Sequence, residues 1–300
     1  MNKKSRLYLG IDIGGSNIKF AVVAAERYPR VVEKNHVRTP HDAKKIVRLA
    51  GEEKKKLEKK YGRFSVIGVA VAGARDMRAS AVVGSPNLSY LNGFPLAAAL
   101  TKELGVRIRL HNDANAFLFG EIMLGAARGS RRVFGITLGT GVGGAMVSHG
   151  TVEEGAHNDA GEIGHSIIEI GGRRCTCGGR GHAEEYLSTR AFLRLGGAFP
   201  DELAVLARKG NKTAKVVFDE IAVFLGAVFA NIVNIYDPEI IVVGGGIAQE
   251  GDLFISKAWK FAVKDILSKE ARVRVKIAHA RLGQYAGAIG AALLAQTGQF

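Results

Sequence analysis

The two cysteines of the chain lie two residues apart, with a histidine on either side in the sequence. His165 precedes Cys175 by ten residues, and His182 follows Cys177 by five. Two thiolates and two imidazoles are donors typical of tetrahedral zinc sites, and the nearby glycines allow the tight turns that bring such donors together. Two free thiols beside incidental histidines are the weaker alternative. The spacing predicts a structural zinc bound by His165, Cys175, Cys177 and His182.

Two carboxylates accompany this cluster. Glu162 lies three residues before His165, so their side chains share a face if the turn between them is helical. Glu184 follows His182 by two residues. Carboxylates and imidazoles can hydrogen-bond the hydroxyl groups of a polyol. We expect the zinc to shape the loop that holds these side chains, with His165 serving both the metal and the ligand.

An acidic residue interrupts the first apolar strand of the sequence. Asp12 lies between Ile11 and Ile13, where an ionised side chain is costly to bury unless it binds a partner. A Mg²⁺–phosphate complex would be such a partner. A hydrogen-bonded structural carboxylate explains the same pattern, and both interpretations stay open.

A second acidic residue follows the strand predicted at 106–110. Asn112 and Asp113 come at its carboxyl end, where α/β enzymes place catalytic side chains. Phosphoryl transfer to a hydroxyl needs a carboxylate that orients this hydroxyl and accepts its proton. The alternative is that Asp113 caps a helix beginning near Ala114. Asp113 cannot fully serve both roles, because capping occupies the lone pairs of the carboxylate.

Two glycine-rich turns follow predicted strands, and each carries a hydroxyl group. The first spans Gly14–Asn17 and includes Ser16, and the second spans Gly139–Gly144 and includes Thr140. Glycine lets backbone N–H groups converge on a phosphate, although a plain hairpin turn is the commoner fate of a single glycine pair. Residues 139–144 also match G-x-G-x-x-G, but a dinucleotide-binding fingerprint needs a helix next, and here a strand is predicted. We expect two phosphate-binding turns, and the glycines at 244–246 are a candidate for contacting a base or ribose.

Strand-like and helix-like patterns alternate along the chain, which indicates the α/β class. Strands are predicted at 66–72, 106–110 and 239–243, and helices at 41–61, 213–236 and 285–297. Residues 10–15 resemble residues 135–140, since both are apolar strands that turn on glycines into another strand. This short repeat suggests two related domains that face each other across a cleft, with a boundary near residues 112–116.

Length and composition fit a soluble enzyme of two domains. The chain has 300 residues, of which 47% are hydrophobic and 23% charged. It has no apolar run of membrane-spanning length, so no membrane association is expected. The formal net charge of +14 favours anionic ligands such as nucleotides. Nucleic acid is not an expected partner, because no basic stretch is interleaved with aromatic residues.

The cysteines and the N-terminal segment predict the compartment. Cysteines at i and i+2 are poorly placed for a disulfide, which fits a reducing environment. Residues 1–6 run straight into a strand-like segment without the apolar core of a signal peptide. We therefore expect a cytoplasmic protein.

Together these motifs resemble the ROK family of sugar kinases and repressors, in the right order and over essentially the whole chain. The segments that carry the resemblance are Leu9–Ser16 with Lys19, Ser85–Leu88, His111–Asn115, Thr137–Gly143, Gly161–His165 and Asp237–Gly246. The resemblance implies a two-lobed, actin-like fold of the hexokinase type, similar to ribonuclease H, with a cleft between the lobes. It implies a small lobe of residues 1–113, onto which a helix at about 284–300 packs, and a large lobe of residues 114–283 that carries the zinc loop. A homodimer or homotetramer is also implied.

The same resemblance implies MgATP-dependent phosphorylation of a hexose or N-acetylhexosamine, with Asp113 as the general base. Glucose is the leading substrate, and N-acetylmannosamine, N-acetylglucosamine and fructose are alternatives. The implied sugar-binding residues are Asn87, Asn112, Glu162, His165 and Glu184. The implied MgATP-binding residues are Asp12, Gly14, Gly15, Ser16, Lys19, Gly139, Thr140, Gly141, Gly245 and Gly246.

The sequence departs from the family pattern at one zinc position, where His182 replaces the usual third cysteine. Imidazole also binds zinc, so the expected donor set is two histidines and two cysteines. A sugar-responsive repressor is disfavoured, because such proteins carry a DNA-binding domain ahead of the first glycine turn. Here the loop that carries this turn begins at Asp12, which leaves no room for such a domain. Polyphosphate is an alternative phosphoryl donor that the basic charge favours.

Overall fold

The computed structural model of the chain describes residues 6–76, 81–83 and 88–297. The chain divides into two compact units. The first takes in the described residues of Met1–Arg128, Gly155–Asp159 and Gln284–Phe300, and the second takes in Gly129–Glu154 and Ala160–Gly283. The lobes at 1–113 and 114–283 stay a prediction.

The first unit is built on a five-stranded mixed sheet. Its strands are β1 (Arg6–Ile13), β2 (Asn17–Ala25), β3 (Arg30–Arg38), β4 (Val66–Val71) and β7 (Arg107–Asn112), in the order β3-β2-β1-β4-β7. β1, β2 and β3 pair antiparallel, whereas β4 lies parallel to both β1 and β7. The carboxyl ends of β1 and β7 therefore lie at the same edge of this sheet. Strands β5 (Ala74–Asp76) and β6 (Ala81–Val83) form a separate antiparallel pair.

Helices flank this sheet, and one of them packs unusually close to it. The helices are α1 (Ala43–Tyr61), α2 (Leu96–Leu104), α3 (Asp113–Leu124) and α10 (Ala286–Thr297). A Cβ atom built at Gly10 would lie 1.8 Å from the carbonyl oxygen of Ala288, and one at Gly68 would lie 1.9 Å from that of Ala291. The strands can therefore accept α10 only because both positions are glycine.

The second unit repeats the topology of the first. Its strands are β8 (Arg132–Leu138), β9 (Val142–Ser148), β10 (Thr151–Val152), β11 (Ile240–Gly244) and β12 (Lys276–His279), in the order β10-β9-β8-β11-β12. β8, β9 and β10 pair antiparallel, and β11 lies parallel to both β8 and β12. The two glycine turns thus occupy equivalent places, between β1 and β2 in one unit and between β8 and β9 in the other.

A long apolar helix forms the core of the second unit. The helices are α4 (Glu184–Leu187), α5 (Thr189–Gly196), α6 (Pro200–Arg208), α7 (Lys212–Tyr236), α8 (Ile255–Asp265) and α9 (Lys269–Arg274). Among the described residues, only α7 is long and apolar enough to cross a membrane, and 61% of its most apolar window is buried. Phe218 and Phe229 of α7 are fully buried in the cluster that this helix forms with the sheet and α8. The burial of α7 therefore accounts for its apolar sequence.

Candidate active site

The two aspartates singled out in the sequence lie at one edge of the first sheet. Asp12 is opposite Lys19 in the β1–β2 ladder, and Lys19 Nζ donates to Asp12 Oδ2 over 3.0 Å. The Lys19 side chain is only 19% exposed, so it faces the carboxylate rather than solvent. Burial raises the pKa of Asp12, and the Lys19 ammonium opposes this shift. An ion pair thus accounts for the acidic residue in an apolar strand.

Asn112 caps the helix that follows β7. Its Oδ1 accepts hydrogen bonds from the backbone N–H groups of Ala114 (2.9 Å) and Asn115 (3.1 Å), and α3 begins at Asp113. Asp113 is thus the first helical residue and not the N-cap. Because the amide oxygen of Asn112 is occupied by the cap, a ligand contact by Asn112 would use its Nδ2.

Asp113 has the protonation behaviour of a general base. Burial, and then the negative charge of Asp12, raise the pKa of Asp113 to about 6, while backbone N–H groups and Lys19 oppose the shift. A carboxylate with a pKa just below neutrality is ionised at pH 7 and still basic enough to accept a proton from a hydroxyl.

The first glycine turn is tied to the strand β3 by a threonine. Thr39 follows β3, and its N–H donates to the carbonyl of Ser16 (3.0 Å) while its hydroxyl donates to the carbonyl of Gly14 (2.6 Å). Thr39 is buried, whereas Gly15 and Ser16 are exposed. Thr39 therefore fixes the backbone of the turn, while Gly15 and Ser16 at its tip stay exposed.

The second glycine turn is fixed at both ends by the chain around α4 and α5. Thr189 donates from its N–H (2.9 Å) and its hydroxyl (3.1 Å) to the carbonyl of Gly139. The N–H of Val142 donates to Glu184 Oε2 over 3.0 Å. A Cβ atom at Gly141 would lie 2.5 Å from the same oxygen, so a larger residue there would displace the Glu184 carboxylate. The strand β9 follows this turn, which confirms that residues 139–144 do not open a dinucleotide-binding helix.

The third glycine turn lies beside the second. Gly245 has a φ of +92°, and a Cβ atom there would lie 2.2 Å from the carbonyl oxygen of Leu138. Because β8 and β11 are parallel, both turns emerge from the same edge of the second sheet. Gly246 is exposed, and no described heavy atom lies within 4 Å of a Cβ built on it.

The four predicted zinc donors come together. One donor atom from each of His165, Cys175, Cys177 and His182 lies within 4.8 Å of all the others. Cys175 Sγ is 4.0 Å from His165 Nδ1, and Cys177 Sγ is 3.2 Å from His182 Nδ1. Donors on one tetrahedral zinc are about 3.3–3.8 Å apart, given the usual Zn–S and Zn–N lengths. The donor set and its spacing therefore fit zinc.

The glutamates of this region have different surroundings. Glu162 is exposed at the start of a helical turn, Ile163–His165. Glu184 is only 9% exposed, with Oε1 accepting from Arg190 (2.8 Å) and Oε2 from Val142. Both oxygens of Glu184 thus have protein partners. Asn87 lies outside the described residues, and sugar binding by these side chains stays a prediction.

Three residues that hold the site were not singled out in the sequence. Thr39 and Thr189 fix the two phosphate-binding candidates, and Arg190 pairs with Glu184. Thr39 and Thr189 act through contacts that are distant in sequence, 25 residues for Thr39 and Gly14 and 50 residues for Thr189 and Gly139, whereas Arg190 lies six residues from Glu184. No local pattern marks a threonine or arginine for such a role.

Comparison with known proteins gives a consistent assignment. The family model described as the ROK family matches residues 8–298. The glucokinase of Streptomyces coelicolor is 31% identical over 97% of this chain and 98% of its own length. The N-acetyl-D-glucosamine kinase of Vibrio cholerae serotype O1 is 30% identical over 96% of this chain and 99% of its own length. The solved structure of a ROK family glucokinase from Streptomyces griseus in complex with glucose and AMPPNP has a TM-score of 0.84 and 31% identity, covering 97% of this chain and 100% of that one.

Two mixed sheets of matching topology, each flanked by helices, define the actin-like fold of the hexokinase type. The match to the solved structures confirms the predicted α/β class with two lobes. The chain belongs to the ROK family.

Proposed function

We propose that this protein transfers the γ-phosphoryl group of ATP to a hydroxyl of a hexose, with glucose as its preferred acceptor. The protein is a sugar kinase, and its curated relatives include glucokinases and N-acetylglucosamine kinases. The observation that supports the mechanism best is Asp113, whose pKa is raised to about 6 at the edge of the sheet that also carries the Asp12–Lys19 pair.

Asp113 acts as the general base in this proposal. Its carboxylate hydrogen-bonds the acceptor hydroxyl and takes its proton as the oxygen attacks the γ-phosphorus. The bond between the γ-phosphorus and the β–γ bridging oxygen breaks in the same step, and ADP leaves. The Asp12 charge strengthens Asp113 as a base by raising its pKa. Asn112 contributes an amide donor to the sugar and, as the helix cap, holds Asp113 at the start of α3.

The glycine turns bind the nucleotide. Backbone N–H groups and hydroxyls at Gly14, Gly15, Ser16, Gly139, Thr140 and Gly141 are assigned to the phosphates. Gly245 and Gly246 are assigned to the adenosine, because both are exposed and the open space beside Gly246 admits a flat ring. Lys19 neutralises phosphate charge, and Asp12 is the residue that would hold Mg²⁺. When bound, this ion supplies positive charge to the phosphates.

The remaining polar residues are assigned to the sugar. Glu162, His165 and Glu184 in the second unit, together with Asn87 and Asn112, hydrogen-bond its hydroxyls. His165 can serve two ligands, since Nδ1 faces Cys175 and leaves Nε2 for the sugar. His165, Cys175, Cys177 and His182 would hold zinc, whose function is to fix the fold of this loop.

A screen of acceptors and donors tests the proposal. Glucose, N-acetylglucosamine, N-acetylmannosamine and fructose are each assayed with ATP and with polyphosphate, using the purified chain. We expect the highest kcat/KM for glucose with ATP. Preference for an N-acetylhexosamine would replace the acceptor and keep the class. A faster reaction with polyphosphate would replace the donor, and a chain that phosphorylates none of these sugars would refute the proposal.

Assembly, location and DNA binding are further parts of the proposal. We place the enzyme in the cytoplasm, where ATP is available and a dithiol metal site stays reduced. A homodimer or homotetramer is expected, and light scattering of the purified chain measures it.

A sugar-responsive repressor is disfavoured, since Asp113 and its raised pKa serve catalysis. A specific, salt-resistant DNA complex would contradict this choice.

A further inference from the structure

The segment Glu184–Arg190 holds the second glycine turn through hydrogen bonds at both ends of the turn. Thr189 holds the carbonyl of Gly139 at the start of the turn, and Glu184 holds the N–H of Val142 at its end. A Cβ atom built at Gly141 would also lie 2.5 Å from Oε2 of Glu184. The conformation of the turn therefore depends on where the Glu184 carboxylate is kept.

Glu184 and its neighbour Glu185 are both largely buried, with 9% and 7% of their surface exposed. One guanidinium serves both, because Arg190 donates to Glu184 Oε1 over 2.8 Å and to Glu185 Oε1 over 2.9 Å. Buried carboxylates that lose their cation are strongly destabilised and act on their surroundings through a low dielectric. Arg190 is thus the counter-charge for two neighbouring acids, one of which, Glu184, contacts the turn that is assigned to an anion.

We propose that Arg190 is a positioning residue for nucleotide binding. It keeps the Glu184 carboxylate on the N–H of Val142 and cancels negative charge that would otherwise repel the phosphates. This inference rests on the proposed function, in which the turn at Gly139–Gly141 binds the phosphates of ATP. Arg190 acts through Glu184 and does not itself touch the substrate.

The test is the affinity for MgADP, measured by calorimetry without turnover. Arg190→Met removes the charge and keeps the length of the side chain. We expect the Kd to rise about tenfold, because the uncompensated carboxylates would repel the phosphates of the nucleotide. Arg190→Lys retains the charge, and a single ammonium can replace the one nitrogen, Nη2, that donates to both carboxylates. Its Kd should stay within about threefold of that of the unchanged chain. Arg194→Met is the matched control, because Arg194 lies one turn further along α5, donates to the backbone carbonyl of Glu185 and, among the described residues, forms no ion pair with the carboxylate of Glu184 or Glu185. It should leave the Kd unchanged.

A charge-specific readout separates this role from a loss of packing. In the double variant Arg190→Met with Glu185→Gln, one uncompensated carboxylate is removed, so part of the lost affinity should return. A packing defect would add to the loss instead. Thermal unfolding and zinc content establish that each variant is folded. If Arg190→Met does not fold, Arg190→Gln takes its place with the same expected rise in Kd.

The outcomes distinguish the two proposals. Unchanged MgADP affinity in the folded, uncharged Arg190 variant would overturn the inference while leaving the proposed function intact. The same holds if the Glu185→Gln change gives no recovery. An unchanged chain that binds no MgADP at all would overturn the proposed function itself.

Discussion

Asn112 and Asp113 divide two tasks between adjacent residues. The amide of Asn112 satisfies the backbone N–H groups of Ala114 and Asn115, so the first turn of α3 does not need the Asp113 carboxylate as its cap. Asp113 lies in that first turn, where the helix dipole favours a negative charge. Burial and Asp12 act in the opposite direction and raise its pKa to about 6. The residue is therefore ionised at neutral pH at a cost to the folded state.

Replacing Asp113 by Asn should separate catalysis from stability. We expect kcat to fall by 10²–10⁴, the usual contribution of a general base. At pH 7.5 the variant should be more stable by about 1–2 kcal/mol, because it removes a carboxylate that is costly to ionise. The full rise in the pKa of Asp113 would correspond to about 3 kcal/mol, and the smaller value allows for the partial exposure of the side chain. At pH 4 most of the gain should be lost, since Asp113 is then protonated in the folded state and about half protonated in the unfolded chain. Denaturant unfolding at both pH values and steady-state kinetics measure these effects, and near-normal kcat would contradict the role of Asp113.

The pH dependence of the reaction should report the same group. Asp113 must be deprotonated to act as a base, and its pKa is raised to about 6. We therefore expect kcat/KM to rise through pH 6 and to level off above pH 7. Replacing Lys19 by Met should move this inflection upward, because Lys19 lowers the pKa of Asp113. An inflection below pH 5 in the unchanged enzyme would show that Asp113 is not the titrating group.

Elements hold these residues in place through close backbone contacts. α10 packs against β1 and β4 at Gly10 and Gly68, and Gly287 of the same helix lies against Asp12, with 3.0 Å between a Cβ built there and the carboxylate carbon. In the second unit, the chain around α4 and α5 fixes the glycine turn between β8 and β9. Asp12 and the second glycine turn are thus each supported by a helical segment that is remote in sequence.

Gly68→Ala tests the contact between α10 and the first sheet. The added methyl group would lie 1.9 Å from the carbonyl oxygen of Ala291, so helix and strand must separate. We expect a loss of about 1–3 kcal/mol in the free energy of unfolding, typical of overpacking. Gly139→Ala is a control for stability alone, because no described heavy atom lies within 4 Å of a Cβ at that position. Equal stability of the two variants would contradict the tight contact.

The parts of the site that were predictable depend on short sequence separations. His165, Cys175, Cys177 and His182 fall within one loop, so their spacing was enough to indicate a metal site, and the structure brings the donors together. The orientation of Lys19 was not predictable, because it depends on the pairing register that sets it opposite Asp12. The choice between Asn112 and Asp113 as the cap was equally open, since both residue types cap helices well.

At the scale of the whole molecule, one sheet topology is used twice with different chemistry. Residues 10–15 and 135–140 occupy equivalent strand ends, and the place of Asp12 in the first unit is taken by Thr137 in the second. The first unit carries Asp12 and Asp113. The second unit carries the metal-donor loop and the glycine turns that follow β8 and β11. Loss of the metal should therefore affect one unit selectively.

Removal of zinc should loosen the second unit and spare the first. We expect about one zinc per chain, as a single tetrahedral site requires. After Cys175→Ser or treatment with a chelator, amide hydrogen exchange should accelerate across residues 161–187, with that of β1 and β4 unchanged. Thr176→Ser is the control, since Thr176 lies between the cysteines and is not among the donors. Zinc-free protein by elemental analysis, or exchange that rises equally in both units, would contradict this prediction.

The position of α10 in the sequence has a consequence for synthesis on the ribosome. This helix completes the first unit at Gly10, Gly68 and Asp12, yet it follows every residue of the second unit along the chain. The second unit can therefore fold while β1 and β4 still lack their covering helix, since domains generally fold as units during translation. Asp12 would be covered only when α10 emerges, so a nascent chain would complete the surroundings of Asp12, which raises the pKa of the proposed base Asp113, only after the second unit has been synthesised.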